Sequence, residues 1–155
     1  MLPSAYMTAS QLKIWDMSRS GLSQAEIGRR TSVTRQAVYD ALGIALEKVE
    51  SALRHAADAD MVEVRHVDPK MGILQGFSPS LGNRVIITFS IKHGIQTWHY
   101  ENVECPRCKW SDRCRGRLLD EAEERNVSLS NEEKNLPSSK MAHVIFSKVI
   151  PGLEP

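Results

Sequence analysis

Three cysteines stand close together in the array Cys105-Pro-Arg-Cys108-Lys-Trp-Ser-Asp-Arg-Cys114. A C-x2-C pair in a turn presents two thiolates to one metal, which is half of a zinc knuckle. The third sulfur, at Cys114, leaves one ligand wanting. His99, on the β-rich segment just before the array, is the candidate for it, and His93, His143, a water or an exogenous molecule are the alternatives. The opening residues carry no basic stretch ahead of an apolar one, so no secretory signal and a cytoplasmic location are expected. In that setting clustered cysteines point to metal or redox chemistry rather than to disulfides. The expected cofactor is zinc or an iron–sulfur cluster; the plainer alternative is that each thiol is merely packed. Arg107, Lys109, Arg113, Arg115 and Arg117 lie around the sulfurs. They could stabilise thiolates, contact a DNA backbone, or form a solvated basic turn balanced by Asp112 and the acids of 120–124.

A second constellation lies at residues 23–42, SQAEIGRRTSVTRQAVYDAL. Ser23 is a helix N-cap with Glu26 at the capping-box position. Thr34 caps a further helix after the short polar turn Thr31-Ser32-Val33. Val38, Ala41, Leu42 and Ala45 recur at helical spacing, which leaves Arg35, Gln36, Tyr39 and Asp40 on the other face. This is the pattern of a helix-turn-helix whose second helix reads a major groove. Arg and Gln make bidentate contacts to guanine and adenine edges. Arg35, Gln36 and Tyr39 are therefore the candidates for base contact, and Ser23, Gln24, Arg29, Arg30 and Thr34 for the phosphate backbone. Two short amphipathic helices joined by a turn can also be plain packing.

Residues 8–50 resemble the helix-turn-helix of the LuxR and sigma-factor region-four type. The resemblance rests on Thr8-x-x-Gln11, Gly21-x-Ser23, Glu26-Ile27 and Thr34-x-x-x-Val38. Within that group the segment is most similar to the archaeal Tfx-type regulators, in which such a domain precedes a small C-terminal one. The resemblance implies a sequence-specific DNA-binding transcriptional regulator. Gly28 stands where most members have Ala, a change expected to be tolerated because both residues are small. The array CPRCKWSDRC in turn resembles the end of the iron–sulfur loop of DNA glycosylases, C-x6-C-x2-C-x5-C. The first cysteine of that pattern would fall at Trp98, next to His99. Four-thiolate [4Fe–4S] ligation by one chain is thus excluded, while three cysteines plus a histidine or an external ligand remain open.

These groups need elements to position them. The chain has 155 residues, 41% hydrophobic and 25% charged, with a net charge of +1. That is enough for one domain or two small ones. It is not the bulk basicity of a nonspecific nucleic-acid coat. Residues 8–42 carry Lys13, Arg19, Arg29, Arg30 and Arg35 against Asp16, Glu26 and Asp40, a local excess for phosphate binding. No apolar run reaches the length of a membrane span. A first helix is expected from Thr8 to Gly21. The third is expected to reach about residue 57, with a kink or break at Gly43. Its stripe Leu42, Ala45, Val49, Ala52, Leu53 and Ala56 fits either internal packing or a dimer seam. Four short antiparallel strands follow near 61–67, 72–77, 84–89 and 95–100, punctuated by Asp68-Pro69, Ser78-Pro79, Leu81-Gly82-Asn83 and His93-Gly94. Then come a charged helix over Arg117–Arg125, whose acids read as solvated, a polar loop at 126–137, and a last short helix carrying Met141, Val144 and Ile145.

The expected fold is therefore α+β. An N-terminal three- to four-helix helix-turn-helix domain (1–58) is followed by a second domain (59–155) with a small antiparallel sheet and a Cys-rich, partly helical C-terminal part. The expected function is transcriptional regulation on double-stranded DNA as a homodimer, with metal or redox sensing through Cys105, Cys108, Cys114 and His99. No phosphate loop, His-Glu-x-x-His array or nucleophile elbow occurs, so an enzyme is not expected. The competing classes are a nucleic-acid-processing metalloprotein using Glu104 or Asp112, and a scaffold, each with the helix-turn-helix as a tether.

Overall fold

The computed structural model describes residues 6–101 and 103–153. Helices come first, then a four-stranded antiparallel sheet, then helices again. The leading helices are α1 (Ala9–Arg19), α2 (Gln24–Thr31) and α3 (Arg35–Ala59). The strands β1 (Glu63–Asp68), β2 (Ile73–Ser78), β3 (Asn83–Ser90) and β4 (Gly94–His99) pair in chain order. The closing helices are α4 (Ser111–Glu124), the single turn α5 (Asn131–Lys134) and α6 (Ser138–Val149).

The caps are local and strong. Thr8 and Gln11 form a complete capping box on α1, and Thr34 Oγ1 accepts from Ala37 N at the start of α3. Ser23 Oγ accepts from Glu26 N, but the Glu26 carboxylate turns outward to Arg29 and Arg30 instead of closing the box. The turn after α2 uses Ser32 in the left-handed region, φ 57°, and both Ser32 N and Val33 N return to Gly28 O. Gly28 is tighter than expected. A Cβ there would stand 2.8 Å from Val33 O, so Ala cannot replace it without a shift of backbone.

Alternation along β3 places Val85, Ile87 and Phe89 on one face of the sheet and Ile86 and Thr88 on the other. The first face packs with Leu74 against Trp15, Ala45, Val49, Leu53 and Ala57 of α1 and α3. The second packs with Ile73 and Trp98 against Leu118 and Ala122 of α4 and Met141, Ile145 and Phe146 of α6. The sheet therefore lies between two helical layers, and β3 is buried on both sides. Trp15 joins α1 to the sheet. Its Nε1 donates to Pro69 O (2.9 Å), its ring meets Phe89 edge-on at 5.1 Å, and Gly72 at φ +68° leaves room for it.

Several expectations are corrected. Of the three to four helices expected, three precede the sheet among the described residues; the kink or break expected at Gly43 does not occur, because α3 runs unbroken through it. No Cys-rich part organises the C-terminal region. Residues 103–153 are ordered by the apolar contacts of α4 and α6 with the sheet, and the cysteines sit at the margin of that core, intermediate or exposed. Among the described residues no group of three or more His, Cys, Asp or Glu is gathered so as to hold a metal ion. The stripe on α3 resolves as internal packing: Leu42 joins Ile14, Ile27 and Val38, while Ala45, Val49 and Leu53 meet the sheet. Helix α4 begins six residues earlier than expected, so Cys114 stands on its first turns, and the loop at 126–137 contains α5. No helix among the described residues is long and apolar enough to cross a membrane.

Candidate functional site

The N-terminal helices present one polar face. Ile14, Ile27, Val38 and Leu42 form a small core that fixes α1, α2 and the start of α3 against one another. With Val38 drawn inward, the helical period turns Arg35, Gln36 and Tyr39 outward, and all three are exposed, Tyr39 at 61%. Together with Gln24 from the first turn of α2 they line a shallow cleft of about 400 Å³. Gln36 Nε2 donates to Asp40 Oδ1 (3.1 Å), so Asp40 orients Gln36 rather than Arg35. Ser23 and Thr34 spend their hydroxyls on capping. Arg29 and Arg30 are exposed and share Glu26, whose carboxyl they hold below the usual range by hydrogen bonding. Arg19 is removed from this face. It is buried, with its guanidinium 5.1 Å over the Trp15 ring, and it bonds Asp16 and Glu124. It leaves together with its partner Asp16, so Lys13, Arg29, Arg30 and Arg35 against Glu26 and Asp40 keep the local positive excess unchanged.

The thiols lie at the opposite end of the molecule's chain order, around a larger opening. Cys105 starts a 3-10 turn, Cys105–Arg107, whose carbonyl accepts from Cys108 N (3.1 Å), and Cys114 N is held by Trp110 O (2.9 Å) on α4. Cys105, Cys108 and Cys114 all line one cleft of about 570 Å³, and so does His99 at the end of β4. Trp98 and Leu118 form its floor, both buried, and Trp110 stands at its rim, 47% exposed. Lys109 and Arg113 sit against the Trp110 ring at 5.0 and 4.7 Å, a cation–π pairing that steadies an otherwise exposed indole. Burial pushes the Cys114 thiol up, with the neighbouring Cys108 and Cys105 adding to the rise and Arg117 and Arg113 opposing it.

The other basic residues of the array are deployed elsewhere. Arg115 donates to Lys134 O (2.5 Å) and Leu136 O (2.7 Å), tying α4 to the α5 segment. Arg117 donates to Gln96 Oε1 (2.6 Å) across the cleft wall, and Arg107 pairs with Glu104. Two alternative fourth ligands fall away from the cleft lining. His93 Nε2 is engaged by Asp120 Oδ2 at 2.7 Å. His143 packs beside Tyr100, ring centroids 5.6 Å apart, and its Nε2 is buried with no hydrogen-bond partner among the described residues. Glu104 lines the cleft but is exposed and shared with Arg107, while Asp112 is exposed in the first turn of α4.

A polar chain lies beneath the cleft that no local pattern announces. Trp98 Nε1 donates to Thr88 Oγ1 (2.9 Å), and Thr88 Oγ1 donates to Glu121 Oε1 (2.9 Å). Glu121 Oε2 accepts from Arg125 Nε, and Arg125 also donates to the carbonyls of Met71, Gly72 and Phe89. Glu121 and Arg125 lie four apart on a segment dense in charge, and no local pattern marks them as buried.

No protein-family model matches the chain, and neither the curated proteins nor the solved structures give a match.

Proposed function

We propose that this chain is a DNA-binding transcriptional regulator. The observation that carries the reading is the joint exposure of Arg35, Gln36 and Tyr39 on the first turns of α3, with α2 crossing at its base and Gln24 beside them. Groove-reading helices contact base edges with their N-terminal residues while the preceding helix meets the backbone. Arg29 and Arg30 on α2 are exposed and paired with Glu26, and in this reading phosphates compete with Glu26 for them. In this reading the duplex is the partner, and a homodimer would set two half-sites about 34–36 Å apart. Such a dimer has to use a surface other than the α3 stripe, which is spent inside the chain.

The thiol-lined cleft supplies the regulatory input, through a metal or a redox change at Cys105, Cys108 and Cys114. The support is that Cys105, Cys108, Cys114 and His99 line one opening although they come from the 3-10 turn and its C-cap, α4 and β4.

Selection of binding sites from a random duplex pool with the full chain tests the reading. Enrichment of a defined sequence, lost on Arg35→Ala with Gln36→Ala, is the expected result. Binding that shows no sequence preference at physiological salt overturns it.

A further inference from the structure

We propose that the cleft between β4, the 3-10 turn and α4 binds a small organic acid, a carboxylate carried on an apolar body, with Arg113 and Arg117 taking the carboxylate and Trp98, Leu118 and Trp110 the body. Binding stands on the charge and apolarity of this cleft alone; its use as an effector site rests on reading the chain as a regulator.

The charge at the cleft is unbalanced. Arg113 and Arg117 lie four residues apart on α4 and so project from one face, a relation in which like charges destabilise a helix. Both line the cleft. Neither has a carboxylate partner among the described residues: Arg117 donates to Gln96 Oε1 (2.6 Å), and Arg113 lies 4.7 Å over the Trp110 ring. Glu104 is the one carboxylate lining the same space among the described residues, and it faces Arg107 at 3.7 Å. By contrast Arg19, Arg30 and Arg125 are each paired with an acid. The two cleft arginines are held by neutral groups instead, which leaves their charge for an anion from outside. A guanidinium takes a carboxylate in a fork of parallel hydrogen bonds, and Gln96 occupies only Nη1 of Arg117.

The apolar side is already formed. Trp98 and Leu118 are buried under the cleft, and Trp98 Nε1 donates to Thr88 Oγ1, which fixes the indole. Thr88 is held in turn by Glu121. Trp110 adds an exposed aromatic face at the rim. Small-molecule sites combine apolar and aromatic walls of this kind with a few polar groups that set orientation. An inorganic anion would leave the walls unused, and a neutral apolar molecule would leave both cations unmatched, so the ligand carries both parts.

The test uses the full chain and two probes, octanoate and phenylacetate, with octanol, phenylethanol and acetate as controls. Calorimetric titration should show saturable binding of at least one acid, tighter by about tenfold or more than its alcohol or acetate. In nuclear magnetic resonance the indole N–H signals of Trp98 and Trp110 should move, while that of Trp15, bonded to Pro69 O on the other face of the sheet, should stay. Arg113→Gln and Arg117→Gln should each weaken the acid by about tenfold, leave the alcohol unaffected and keep the parent's circular dichroism. A preference for octanoate identifies an aliphatic acid as the ligand, and a preference for phenylacetate an aromatic one. No binding of either acid, an acid bound no better than its alcohol, or unchanged affinity in both variants overturns the site. DNA selection is scored separately: acid binding by a chain that selects no sequence fails the regulator and leaves this site standing, and sequence selection without acid binding does the reverse.

Discussion

Glu121 Oε2 accepts a hydrogen bond of 2.8 Å from Arg125 Nε one helical turn further on, and both side chains are withdrawn from solvent, at 1% and 0% exposure. A buried pair of this kind is held by its remaining hydrogen bonds as much as by its charges. Glu121 takes the Thr88 hydroxyl, and Arg125 reaches three carbonyls on the β2 side and on β3. The pair is thus a bolt between α4 and the sheet. Removing one partner strands the other charge in the interior, so Arg125→Met should cost about 3–5 kcal/mol. Adding Glu121→Leu should recover part of that loss. Urea unfolding of the two variants checks both statements, and strict additivity would show that the charges are independent.

At the other end of the molecule, Arg35→Ala should weaken specific DNA binding by about 1–3 kcal/mol and relax preference at one base position. Because Arg35 is exposed, the melting temperature should stay within a degree or two of the parent. Fluorescence anisotropy on the selected duplex, beside a thermal melt, gives both numbers.

Two glycines should respond in opposite directions to the same substitution. Gly28→Ala forces a methyl group to 2.8 Å from Val33 O and should destabilise by about 1–3 kcal/mol, with the α2–α3 turn as the element displaced. Gly43→Ala meets nothing within 4 Å on an exposed part of α3 and should stabilise by about 0.5–1 kcal/mol. Chemical denaturation of the pair is a direct comparison.

Asp120 provides the acid-side prediction. Hydrogen bonds from Lys92 and His93 hold its carboxyl below the ordinary value, against a smaller opposing effect of burial. Its folded value is depressed, so its stabilisation is fully present above about pH 4 and is lost as pH falls through the folded value. Lys92 is largely exposed, which keeps the contribution to about 1 kcal/mol or less. Asp120→Asn should lower stability at pH 7 and flatten the fall below pH 4. Equal pH dependence in both proteins would remove Asp120 from the acid limb.

How far the sequence reached depends on the range of the forces involved. Thr8, Ser23 and Thr34 announce their helices because capping is settled within three residues, and the strands announce themselves through alternation and Gly-containing turns. The continuity of α3 through Gly43 was hidden, since a glycine penalty of about 1 kcal/mol is outweighed by the packing of Ala45, Val49 and Leu53 on the sheet. The acids of α4 misled for a similar reason. Glu121 and Glu124 look solvated in RLLDEAEER, yet Thr88, Ile91, Arg19 and Arg125 satisfy them, three of these from distant parts of the chain. The thiol spacing was visible, but the walls of the cleft come from β4, α4 and α6, which no local motif can assemble.

Helix α3 runs 25 residues without interruption, from the outward-facing side chains of its first turn to the end that rests on β1, β2 and β3. At 1.5 Å per residue it is about 37 Å long. Only the stretch before Ala45, about 15 Å, projects beyond the sheet contact, so a tilt of about five degrees there swings the Arg35 end by about 1 Å. Anything that reseats the sheet by a small angle therefore moves the exposed Arg35, Gln36 and Tyr39 with it, with no hinge needed along the way.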